Sequence, residues 1–134
     1  MRFDRFTAKL QQALSDAQSI AVGRDHSSIE TVHLLLALLQ QKDGSVSPLL
    51  KQAGANLANL DKKLNEQLER VATLKNPTGE VQVGQDLQRV FNLTDKLAQQ
   101  RQDQFIASEL VLLAIMDAGG ETAKSLQQSG VDKA

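Results

Sequence analysis

Ile29-Glu30-Thr31-Val32-His33-Leu34-Leu35-Leu36-Ala37-Leu38 returns 77 residues later as Ile106-Ala107-Ser108-Glu109-Leu110-Val111-Leu112-Leu113-Ala114-Ile115. Both stretches are apolar almost all round at helical spacing, which predicts two buried helices, about Glu30 to Gln41 and about Ser108 to Asp117. The same offset carries Leu10, Ala13, Leu14, Ala17, Ile20 and Ala21 onto Leu87, Val90, Phe91, Thr94, Leu97 and Ala98. After a single deletion, Leu50-Lys51-Gln52-Ala53-Gly54 matches Leu126-Gln127-Gln128-Ser129-Gly130. A repeat of this length is one structural unit written twice.

Each copy has one order: long helix, loop, apolar helix, short helix, glycine. Phe3, Phe6, Leu10, Ala13, Leu14 and Ala17 recur at three and four residues, predicting a helix from about Asp4, as N-cap, to Val22, with Gly23 as its stop. Ser47-Pro48 suits the cap and first position of a short helix ended by Gly54. Asn56 then opens an amphipathic helix with Leu57, Leu60, Leu64 and Leu68 on one side. Thr73 to Gly84, with Pro77, Gly79 and Gly84 and no apolar stripe, reads as a linker. The expectation is an all-α domain over residues 1–134. It comprises a first repeat at 1–72, a linker at 73–84 and a second repeat at 85–134, about seven to eight helices related by a pseudo-twofold axis. The second copy reads as truncated, because the equivalent of the Asn56 helix is due at Ala134.

Composition excludes several functions. Lys plus Arg number 15 and Asp plus Glu 16, so no net field draws the chain to nucleic acid or an anionic membrane, and neither is an expected partner. Cysteine is absent, which removes thiolate catalysis and thiolate metal sites and suits a cytoplasmic location. The charged start Met1-Arg2-Phe3-Asp4-Arg5-Phe6 has no signal-peptide core, and Leu34 to Leu39 is far short of the roughly 20 residues that cross a bilayer. No G-x-x-x-x-G-K-[ST] occurs, so no cofactor, ATP included, has a recognisable site. No Ser, His and acid constellation marks an enzyme. His26 and His33 lack metal-ligand spacing. His26 is expected in a solvated loop and His33 as a hydrogen-bonded part of the apolar helix.

The paired repeats, with Met1-Arg2-Phe3-Asp4-Arg5-Phe6-Thr7, Gly44-Ser45-Val46-Ser47-Pro48-Leu49-Leu50 and Asp95-Lys96-Leu97-Ala98-Gln99, resemble the N-terminal domains of Clp-type AAA+ unfoldases. Within that family the strings resemble the ClpB branch of protein disaggregases. The resemblance runs from Met1 to about Asp132. It implies a non-catalytic module tethered to a homohexameric ATP-driven motor, with ATP bound by AAA+ modules outside this sequence. It also implies unfolded or aggregated proteins as clients and the DnaK chaperone system as co-worker. The rival within the family is an adaptor-docking domain of the ClpA or ClpC kind.

Where the copies disagree, a surface can be sought that scaffold demands do not explain. Leu93 stands opposite Asp16 and Leu110 opposite His33, and Leu93 lies about 120° from the buried stripe, on its rim. Leu93, Leu97 and Leu110 are therefore candidates to line an apolar groove for exposed client segments, the alternative being core packing between the copies. The resemblance further marks Thr7, Asp103 and Glu109, whose counterparts are Gly84, His26 and Val32. Glu109 in the first turn of a helix is also what the helix dipole alone favours. Asp103 and Glu109 have no nucleophile or metal ligands beside them and do not read as a catalytic pair. Phe105, opposite Ser28, is either an exposed contact or a loop anchor. Ala107 stands where a capping side chain is expected.

Overall fold

The computed structural model describes residues 3–73 and 81–131, and places seven α-helices among them. These are α1 (Ala8–Gly23), α2 (Thr31–Gln40), α3 (Val46–Gln52), α4 (Leu57–Leu68), α5 (Gln85–Arg101), α6 (Ser108–Ala118) and α7 (Gly120–Gln128), with a 3-10 turn at Phe3–Arg5. Two short strands, β1 (Ser28–Ile29) and β2 (Gln82–Val83), pair in parallel. The fold is all-α. Most of the expected linker, residues 74–80, lies outside the described residues, and its end supplies β2.

α2 is the centre. Every residue from Thr31 to Leu38 is buried, and α1, α3, α4, α5 and α6 all pack against it. Each fully buried leucine here contributes about 1.5–3 kcal/mol of burial free energy, with α1, α3 and α4 of its own copy and α5 and α6 of the other closing over the helix. The amphipathic α4 covers the core with Leu60, Leu64 and Leu68 buried, and Asn56 caps it by accepting from the Asn59 N–H at 3.0 Å.

The pseudo-twofold relation is written in hydrogen bonds. Thr7 N–H donates to the Ile106 carbonyl at 2.9 Å, and Gly84 N–H donates to the Ile29 carbonyl at 2.9 Å. These are equivalent pairs at the 77-residue offset. The Phe6–Ile106 bridge likewise mirrors Val83–Ile29. The segment leading into each copy's long helix thus pairs with the other copy. Equivalent residues also meet at the axis: Gly54 and Gly130 both have positive φ, and a Cβ at Gly130 would stand 2.8 Å from the Gly54 carbonyl oxygen.

Two expected boundaries are corrected and a third is met. The cap of α1 is Thr7 rather than Asp4, because Phe6 is held in its bridge before the helix can begin. Ser45 rather than Ser47 precedes α3; the Ser47 hydroxyl instead donates to the Leu39 carbonyl at 2.9 Å. Pro48 still costs nothing in the first turn, where an N–H has no helical acceptor. Gly23 ends α1, but the left-handed turn beyond it is made by Asp25, at φ 58°.

Candidate functional site

Thr7, Asp103 and Glu109 lie within three residues in sequence of one junction, where the Arg5–Thr7 segment pairs with Ile106. Thr7 holds the start of α1, its Oγ1 accepting from Leu10 N–H at 3.3 Å while its own N–H reaches Ile106. α5 stops at Gln102, whose φ of 59° turns the chain, and Asp103 N–H returns to the Ala98 carbonyl at 3.0 Å. Ile106 N–H donates to the Arg5 carbonyl at 2.8 Å. α6 then starts behind Ala107, which offers no side-chain cap, so the exposed Glu109 in the first turn supplies the negative charge favoured there. Asp103 is half-buried and lies 3.3 Å from Arg101 in an ion pair.

The apolar candidates divide. Leu93 and Leu97 are half-buried on α5, packed on the core with one side left to solvent. Leu110 is only 6 % exposed and belongs to the core. Its counterpart His33 is fully buried too, so the copies differ at this position in their packing.

Phe105, which its sequence position allows as either contact or anchor, is 66 % exposed. Arg5 was missed as a functional candidate. Its Nη2 donates to the Asp103 carbonyl, its Nε to the Gln104 carbonyl at 3.2 Å, and its Nη1 lies 3.6 Å from Asp95 Oδ1. No sequence signal marks a link that spans nearly a hundred residues.

The mirror-image junction, where β1 meets β2, has different chemistry. His26 is 3 % exposed, which corrects the expected solvated loop: the Asp25 turn folds it back onto α2. Its Nδ1 lies 2.7 Å from His33 Nε2. His33 Nδ1 accepts from Glu30 N–H at 2.8 Å, so a neutral His33 carries its proton on Nε2 and donates to His26. Burial, and then the neighbouring His26, push the His33 pKa down to about 4. Burial and the charge of Arg24 lower His26 as well. The two rings share one hydrogen bond, and among the described residues no group of three His, Asp or Glu side chains is arranged to hold a metal ion. Next to them, hydrogen bonding with Asp86, then burial, raise the Glu30 carboxyl to about 7. That carboxyl packs over Gly84, where a Cβ would stand 2.5 Å from Oε1. It borders a polar cleft of about 220 Å³ with Gln67, Arg70, Asp86 and Glu121.

Residues 5–129 match the family model of the Clp repeat N-terminal domain. The chain belongs to the Clp N-terminal domain family. Within it the relatives are of the ClpB kind. The chain is 54 % identical over 133 residues to the chaperone protein ClpB of Pseudomonas putida, covering 99 % of this chain and 16 % of that protein. To the chaperone protein ClpB of Vibrio cholerae it is 46 % identical over 131 residues, covering 98 % and 15 %. The chain therefore spans about one-sixth of the length of the curated relatives it matches. The Clp N-terminal fold recurs in the Hsp104 N-terminal domain from Candida albicans, with TM-score 0.83, 20 % identity, and 96 % and 83 % of the two chains covered. It recurs also in the N-domain of ClpV from Vibrio cholerae, with TM-score 0.81, 20 % identity, and 98 % and 80 % covered. Among the described residues of this Clp N-terminal domain, no helix is long and apolar enough to cross a membrane.

Proposed function

We propose that this domain captures extended apolar segments of unfolded or aggregated polypeptide at the end of the α5–α6 pair. Leu93 and Leu97 offer the apolar surface, Leu110 supports it from the core, and Thr7, Asp103 and Glu109 border it. The observation that carries this reading is its one-sidedness. Half-buried Leu93 and exposed Phe105 in one copy stand where the other holds Asp16 and Ser28, whereas Leu97 has an equally apolar, half-buried counterpart in Ile20. The scaffold is common to both copies and does not call for that difference. A shallow apolar surface with a polar border suits clients that share little beyond exposed hydrophobic side chains.

The ClpB relatives set the wider proposal. Captured segments pass to a cytoplasmic, homohexameric ATP-driven motor that works with the DnaK system, and nucleotide binds to AAA+ modules outside this sequence. The test is fluorescence anisotropy of a labelled, permanently unfolded protein with this domain. Direct binding that weakens in Leu93→Ser supports capture. Binding that appears only with an adaptor protein present supports the adaptor-docking alternative and sinks this one.

A further inference from the structure

The pseudo-symmetry serves as an internal control, since whatever the scaffold alone requires must appear at both junctions. The backbone bridges do: Thr7 to Ile106 is matched by Gly84 to Ile29. The Arg5 clamp does not, for its counterpart is Gln82, and the residue opposite Phe105 is Ser28. A side-chain clamp and a 66 % exposed aromatic ring therefore occur together, on one side of the molecule, over and above what the fold uses twice.

The clamp acts on the loop that carries the ring. Asp103 and Gln104 lie between α5 and the Ile106 bridge, outside any helix or strand. Their carbonyls accept from two different nitrogens of one guanidinium, whose third nitrogen faces Asp95 on α5. Three anchors on a planar, rigid fork fix the loop's position and its orientation, which a single ammonium cannot do. Phe105 follows directly, with its ring toward solvent. Holding an aromatic ring rigid before a client arrives lowers the ordering cost of binding.

We propose that Arg5 is a positioning residue for client capture: by pinning the Asp103–Gln104 carbonyls it presents Phe105 as an aromatic contact beside Leu93 and Leu97. This rests on the capture reading above. The occupant is an extended apolar segment of an unfolded chain.

The experiment gives each position the residue of the other copy, Arg5→Gln and Phe105→Ser, singly and together, with Arg5→Lys as a second clamp variant. The probe is fluorescein-labelled, reduced and carboxymethylated α-lactalbumin, read by anisotropy. Hydrogen exchange of residues 103–106 and thermal melting are measured without probe. Phe105→Ser should weaken binding about tenfold with Tm within about 2 °C of the parent. Arg5→Gln and Arg5→Lys should each weaken binding several-fold and speed exchange at Gln104 and Phe105. The double variant should bind no more weakly than Phe105→Ser alone, because the clamp acts through the ring. Multiplying losses in the double variant, parental binding by Arg5→Lys, or unchanged exchange would overturn the proposal. If Leu93→Ser weakens binding while Phe105→Ser and Arg5→Gln do not, only the Arg5 proposal falls. A parent domain that does not bind the probe refutes the capture reading, and this proposal with it.

Discussion

Acidification should unfold this domain partly through His33, and the size of the effect follows from its burial. In the folded state His33 is fully buried and neutral, with its pKa pushed down to about 4 against 6.5 for a free imidazole. Between those values the unfolded chain binds a proton that the folded chain refuses. Stability is therefore intact above pH 6.5 and falls as pH drops toward 4. Integrated from pH 7 to pH 5, one such site costs about 2 kcal/mol. Glu30 works in the opposite direction over the same range, so the measurement belongs in the Glu30→Gln background. Urea denaturation at pH 7 and pH 5 should show Glu30→Gln losing at least about 2 kcal/mol. Glu30→Gln with His33→Gln should lose about 2 kcal/mol less. Equal losses in the two variants would mean that His33 accepts a proton in place without penalty, and the buried neutral pair would be refuted.

Glu30→Gln alone should stabilise the domain on the alkaline side. The raised carboxyl pKa means stability is lost as pH rises from 4.5 through about 7. A neutral amide avoids that loss, by about 1 kcal/mol at pH 8 after screening of a half-buried group, readable by urea denaturation. Leu110→Ala should cost about 2–5 kcal/mol as a core truncation, whereas Leu93→Ser should stay within about 1 kcal/mol; thermal melts of the pair separate core from surface. Gly130→Ala forces a side chain into φ 103° against the Gly54 carbonyl and should destabilise by more than about 1 kcal/mol, with Gly23→Ala, inside α1 with open space at its Cβ, as the mild control.

The helices and the centre of the core were legible because α2 and α6 are apolar on every face and the long helices carry one stripe each. The helix wheel put Leu93 at the edge of its stripe, and it is half-buried. The same wheel was silent for Leu110: on a helix apolar all round, no angle distinguishes rim from centre. The solvated-loop reading of His26 fails because its partner is reached through a left-handed turn at Asp25; Asp is enriched in that conformation, but most Asp residues do not adopt it. The strand exchange between copies was invisible, since two-residue strands have no periodicity to detect. Arg5 looked like one charge in a charged opening; its anchors are carbonyls, and carbonyls are the same at every residue.

The central claim is that client capture belongs to one side of a pseudo-symmetric scaffold. Amide chemical-shift perturbation of the isotope-labelled domain by an unfolded apolar polypeptide tests it directly. The account predicts perturbations clustered at Thr7, Leu93, Leu97 and residues 103–110, with the equivalent face of Asp16, Ile20 and residues 26–33 unmoved. Equal perturbation of both faces, or a cluster confined to the second, would contradict it.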